Sequence, residues 1–142
     1  RDSVASRGLG DVYKRQEQYR TDDKDLVIFT DLDNIHFLGN ERLLHQAFSN
    51  LIINAIKYSP QHNMIDIRLQ QLKDTIIFVV ENEGTISEQD AHHIFDRFYK
   101  LGDEPNSNGL GLAITQSIIH LHHGEITVKS NKTTCFTVKL FH

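Results

Sequence analysis

Between Asn40 and Pro60 the chain carries one long apolar stripe at helical spacing and two asparagines that do not belong to it. Leu43, Leu44, Ala47, Phe48, Leu51, Ile52, Ala55 and Ile56 recur at helical spacing, which predicts a helix over Glu41 to Ser59 with one core-facing side. Asn40 is the predicted cap and Pro60 the stop. Asn50 and Asn54 lie one turn apart and point the same way. Their amide oxygens form a small patch of hard, neutral ligand atoms, to which Lys57 adds a cation and Tyr58 a phenol. Such a set suits a magnesium-bound polyphosphate. The plainer alternative is a pair of asparagines facing solvent or capping a neighbouring element.

With 142 residues, 39% of them hydrophobic, the chain is long enough for one compact domain with a real core. A formal charge of −4 argues against a nucleic-acid module, which would carry a basic stripe, so no nucleic-acid partner is expected. An anionic ligand must therefore be held locally. The single Cys135, expected to be buried, excludes an intrachain disulfide and fits a reducing compartment. No apolar run approaches the roughly 20 residues needed to cross a bilayer, so no membrane contact by this stretch is expected.

Residues Arg1 to Gln16 show neither helical nor strand periodicity and closely resemble a translated sequencing-adaptor remnant. They are expected to be a non-native, unstructured leader that packs against nothing. Without their four basic and two acidic residues the charge becomes −6. Glu17 to Asp25 reads as a linker or the end of an upstream helix, and residues 26–142 as the domain proper.

Leu26 to Phe29 predicts a buried strand, Asp31 to Asn34 a turn, and Ile35 to Leu38 a second short strand. Met64 to Leu72 alternates as a half-exposed strand should, and Thr75 to Val80, apolar on both faces, predicts a central strand. Glu81 to Ser87 reads as a loop, Glu88 to Phe95 as a short helical piece, and Lys100 to Asn108 as a second loop. A helix from Gly109 to about Leu121 ends at Gly124, and strands over Ile126 to Lys129 and Thr134 to Phe141 pair through Asn131 and Lys132. The order predicts an α/β two-layer sandwich, with helices on one face of a mixed β-sheet.

Three stretches stand in a specific order: Asn50 to Pro60, Ile94-Phe95-Asp96-Arg97-Phe98-Tyr99-Lys100, and Gly109-Leu110-Gly111-Leu112-Ala113-Ile114. They resemble the asparagine, phenylalanine and second glycine boxes of the catalytic ATP-binding domain of bacterial sensor histidine kinases, within the gyrase, chaperone, kinase and mismatch-repair ATPase superfamily. The resemblance covers about Leu26 to Leu140 and implies the Bergerat ATP-binding fold, with ATP and Mg2+ as cofactors.

By this resemblance Asn54 is the magnesium-coordinating and catalytic asparagine, Asn50 its companion near the phosphates, and Lys57 the phosphate-contacting, catalytic lysine. Tyr58 lines the cleft, Gly109 and Gly111 hold phosphate through their amides with Leu110 between them, and Leu112 walls the base pocket. Phe95, Phe98 and Tyr99 anchor a lid over Lys100 to Asn108, with Phe98 and Tyr99 counted among the nucleotide contacts. In Glu81-Asn82-Glu83-Gly84-Thr85-Ile86, Glu81 takes the place of the family's aspartate, which accepts a hydrogen bond from the adenine amino group. Glu83 and Thr85 take the glycine places, and Ile86 closes the run among the nucleotide-binding positions. Glu81 is expected to bind the adenine amino group.

The resemblance further implies delivery of the ATP γ-phosphoryl group to a histidine on a separate dimerisation domain of the same parent protein. A response regulator follows downstream, and the location is cytoplasmic, the parent having the option of a membrane anchor. Isolated activity is expected to be negligible. None of the nine histidines is followed by Asp or Glu, as the family's acceptor is, so surface or capping roles are expected for them. The alternatives are a pseudokinase acting as an interaction module without nucleotide, and a serine kinase of the anti-sigma-factor type.

Overall fold

Alternation along the strands and the stripe on the long helix together produce a mixed sheet with helices laid against one face. The computed structural model describes residues 2–3, 14–21, 25–101 and 109–141. Strands β1 (Asp2–Ser3), β2 (Lys14–Arg20), β3 (Val27–Asp33) and β4 (Leu38–Gly39) precede helix α1 (Glu41–Tyr58). Strands β5 (Met64–Leu72) and β6 (Thr75–Asn82) follow, then helices α2 (Glu88–His93) and α3 (Gly111–Leu121), and strands β7 (Glu125–Ser130) and β8 (Thr134–Phe141). Six strands form one sheet in the order β2-β3-β5-β6-β8-β7, while β1 pairs with β4. Within the six, β3 and β5 run parallel and the other neighbours antiparallel. A parallel pair needs a crossover connection, and the segment containing α1 supplies it.

Ile65, Ile67 and Leu69 of β5, Ile76, Phe78 and Val80 of β6, and Phe136, Val138 and Leu140 of β8 are buried at alternate positions. They form one core with Leu44, Ala47, Leu51 and Ala55 of α1 and with Ile118 and Ile119 of α3. Each of the leucine, isoleucine, valine and phenylalanine side chains among them contributes about 1.5–3 kcal/mol on burial. Phe48 of α1 stacks on Phe78 with ring centres 4.3 Å apart, and Phe95 meets Phe136 edge-on at 6.0 Å. These contacts fix the helix that carries the asparagines relative to the central strand.

Several boundaries differ from the sequence expectations. The first buried strand runs on to Asp33 through the expected turn, because Asp31 and Leu32 have partners on both sides, in β2 and in β5. Ile35 to Leu38 is not a strand: Ile35 and Phe37 are buried anchors, and only Leu38–Gly39 pairs. The polar run from Glu17, expected as linker or helix end, belongs with Lys14–Gln16 to β2. Its polarity suits the sheet edge it occupies. Of the leader expected to pack against nothing, Asp2–Ser3 and Lys14–Gln16 lie in paired strands, and the remainder lies outside the described residues. The last helix starts at Gly111 rather than Gly109, whose φ of 71° is left-handed. Cys135 is half-buried rather than buried.

Candidate functional site

One end of α1 faces the start of α3 across a cavity of about 360 Å³. Asn50, Ile53, Asn54, Lys57 and Tyr58 line it from α1, Ile94, Tyr99 and Leu101 from the segment after α2, and Gly109, Gly111 and Leu112 from the α3 junction. The three stretches singled out in the sequence therefore share one cleft. Asn54, Tyr58, Ile94 and Leu101 continue into a slot of about 20 Å³, which Asn82, Gly84, Thr85, Ile86, Thr134 and Phe136 also line.

The cleft is held in shape by specific bonds. Asn50 Nδ2 donates to the Gly111 carbonyl at 3.2 Å, and Thr115 Oγ1 donates to the same oxygen at 2.9 Å. With its amide nitrogen bonded there, Asn50 has its Oδ1 as the remaining acceptor. No side chain caps α3 at Leu110, so the amides of Gly111, Leu112 and Ala113 have no intrahelical acceptor. Such a helix start attracts anions. Gly109 must be glycine: besides its left-handed φ, a Cβ there would stand 2.5 Å from the Phe98 carbonyl carbon.

Phe98 is itself left-handed at φ 67° and is held by its N–H to the Gly109 carbonyl at 2.8 Å. A non-glycine residue in that region costs on the order of 1–3 kcal/mol. Tyr99 donates its hydroxyl to Asp90, and that hydrogen bond, followed by desolvation, pushes the phenol above its ordinary pKa. Lys57, its Nζ 5.6 Å from the centre of the Tyr58 ring, is the charged side chain among the described lining residues.

Not every expected contact is found. Phe98 is 64% exposed and does not line the cavity, and Leu110 caps α3 without lining it. The expectation for Glu81 is overturned by the pleat of β6. Val80 faces the core, so Glu81 points to the opposite face of the sheet, where Arg68 lies 3.5 Å away and Thr133 donates to it at 2.6 Å. The next residue, Asn82, returns to the core side and is 5% exposed beside the slot. The alternation Ile76, Phe78, Val80 carried this signal, had it been continued by two residues. Glu83 and Thr85 are exposed; of the lid expected over Lys100 to Asn108, Lys100 and Leu101 are described and 102–108 lie outside the described residues.

Neutral amide oxygens, one ammonium and helix-start amides without an intrahelical acceptor fit a magnesium polyphosphate, and no carboxylate among the described lining residues opposes it. Fold and cleft together define an ATP-binding α/β sandwich. The family model described as Histidine kinase-, DNA gyrase B-, and HSP90-like ATPase matches residues 39–142, and the chain belongs to that family. It is 68% identical over 127 residues to the heme sensor protein HssS of Staphylococcus epidermidis, a match covering 89% of this chain and 28% of that protein. The chain thus spans under a third of the length of that curated relative. Among solved structures, the mycobacterial sensor histidine kinase MprB superposes with a TM-score of 0.76 at 25% identity, over 82% of this chain and 83% of that one. The Acinetobacter baumannii histidine kinase AdeS superposes at 0.69 with 28% identity, over 83% and 55%. The chain is a catalytic ATP-binding domain of the sensor histidine kinase type. No helix among the described residues is long and apolar enough to cross a membrane.

Proposed function

We propose that this domain delivers the γ-phosphoryl group of magnesium-bound ATP to a histidine on a dimerisation domain of its parent protein, from which a response regulator receives it. The observation that carries the reading is the convergence of Asn50, Asn54, Lys57 and the open start of α3 on one cavity. Magnesium, when bound, neutralises phosphate charge and orients the leaving group. Asn54 presents an oxygen to the ion, Asn50 bonds nearby, Lys57 offsets charge on the phosphates, and the α3 amides hold the phosphate tail. Phosphoryl transfer asks the protein for position and charge more than for covalent work.

Asn82, rather than Glu81, takes the base end of the cleft. The slot there has room for about one water and not for a purine, so Ile86 and Leu101 must part to admit the base. Glu83 is exposed and outside the slot lining, whereas Thr85, also exposed, is part of it. A cytoplasmic location follows from the use of ATP, and the name of the HssS relative extends the proposal to heme as the parent's stimulus.

Calorimetric titration with a magnesium-loaded, non-hydrolysable ATP analogue tests the binding step, with saturable heat below millimolar ligand expected. Phosphorylation of a purified histidine-bearing hairpin in trans tests the transfer. A domain that binds the analogue and labels only serine on a protein partner would support the anti-sigma-factor type instead.

A further inference from the structure

Tyr99 lines the cavity, and three separate contacts hold it there. Its hydroxyl donates to the Asp90 carboxylate of α2. Its ring stacks on His93 with centres 5.5 Å apart, and His93 Nδ1 lies 2.9 Å from Asp96 Oδ2. Its backbone N–H reaches the Asp96 carbonyl at 3.2 Å, directly after the left-handed Phe98, whose own N–H is bound to the Gly109 carbonyl. The backbone turn thus brings Tyr99 to the cavity beside Gly109, and the side-chain contacts decide which way its ring points.

A tyrosine hydroxyl has one proton to give. With that proton committed to Asp90, the ring rather than a donor faces the cavity. Asp90 is not itself a lining residue, so the phenol stands between a carboxylate and the space a polyphosphate would fill. A hydrogen bond to an ionised acceptor is roughly twice as strong as one between neutral groups, which favours a single orientation of the ring.

Asp90 also sits in the first turn of α2, where its N–H is held by Ser87 Oγ at 3.0 Å and its charge complements the helix dipole. The two roles make different demands. Complementing the dipole needs a negative charge, whereas holding Tyr99 needs only an acceptor oxygen.

We infer that Asp90 is a positioning residue for nucleotide binding, its carboxylate oxygen acting through the Tyr99 hydroxyl to hold that ring as a wall of the cleft. The inference rests on the reading of the cleft as a nucleotide site.

The test is calorimetric titration of the full 142-residue chain and its variants with a magnesium-loaded, non-hydrolysable ATP analogue. Asp90→Ala is expected to weaken binding about tenfold, and Tyr99→Phe, which removes only the hydroxyl, by a similar factor. Asp90→Asn keeps an acceptor oxygen without the charge and is expected to stay within about threefold of the unsubstituted chain. In the Tyr99→Phe background, Asp90→Ala is expected to add less than about twofold, since the two groups act as one unit. The phenol also reports without ligand. Its ionisation, isolated in an alkaline absorbance titration by difference against Tyr99→Phe, is expected to move to lower pH in Asp90→Ala, because the bond to the carboxylate keeps the proton on the phenol.

A loss in Asp90→Asn equal to that in Asp90→Ala overturns the inference in favour of helix charge. Unaltered affinity in Asp90→Ala, or an unmoved Tyr99 ionisation, also overturns it. Should Asp90→Ala fail to fold, Tyr99→Phe decides, and full affinity there overturns it. Binding that is indifferent to all three single substitutions sinks this inference alone. No binding by the unsubstituted chain sinks the nucleotide reading with it.

Discussion

His122 Nε2 accepts the backbone N–H of Asn40 at 3.0 Å, joining the end of α3 to the start of α1. The other ring nitrogen lies 2.8 Å from the Ile118 carbonyl, so it carries the proton and the ring is neutral in this arrangement. Asn40 in turn caps α1 by accepting the Leu43 N–H on Oδ1 at 3.0 Å. Gly39 packs so closely that a Cβ there would stand 2.9 Å from the His122 ring. The two helices that bear the cleft are thus tied at the ends remote from the slot.

His122→Ala leaves the Asn40 N–H short of its acceptor and opens space beside Gly39. A loss of about 1–3 kcal/mol is expected from urea unfolding midpoints. Asn40→Ala is expected to cost about 1 kcal/mol through the lost cap. The double variant should fall short of the sum, because the two side chains serve the same helix start.

Asn54→Ala removes the proposed ion ligand and keeps the helix. Binding of the ATP analogue in the presence of magnesium is expected to weaken about tenfold to a hundredfold, while binding measured with a chelator present changes little. Equal and small effects under both conditions would contradict the ion role.

Gly109→Ala forces a side chain into left-handed backbone and onto the Phe98 carbonyl carbon, 2.5 Å away. The junction must shift, so nucleotide binding is expected to be lost while the helical circular dichroism signal of the sheet-packed core is kept. The strain is on the order of 1–3 kcal/mol. Retained affinity would mean that the phosphate end does not depend on this junction.

Asp25 is held below the usual carboxylate range by the Arg20 guanidinium, which donates to it, and by His62 at 3.1 Å. A lowered folded pKa means that the stabilisation is present above the unfolded value of about 3.9 and lost as pH falls through the folded one. Asp25→Asn keeps a residue tolerant of the left-handed φ of 52° and removes the charge. Unfolding curves of the two proteins are expected to differ most at neutral pH and to converge in acid.

Much of this was legible in the sequence where periodicity was strong. The α1 stripe, its Asn40 cap and the β5 alternation all appear where the pattern puts them, because burial on one face dictates them directly. Edge strand β2 was not legible, since an edge presents polar residues and gains its order from pairing with β3 rather than from its own composition. The cleft positions that depend on backbone direction were legible only in part. Glu81 was placed by likeness of motif, whereas the two-residue pleat decides its face and sends it to Arg68, leaving Asn82 at the slot. His122 as a clasp rests on a contact across 82 residues, which no local pattern encodes.

The parallel joint between β3 and β5 has a bearing on how freely this domain can evolve. The segment bridging that joint includes α1, so the two strands share an edge only with the asparagine helix spanning from one to the other. A lineage that drifted away from using nucleotide would still be obliged to keep that helix, its stripe and its cap, and would be free to discard only the few amide and amine groups along its rim.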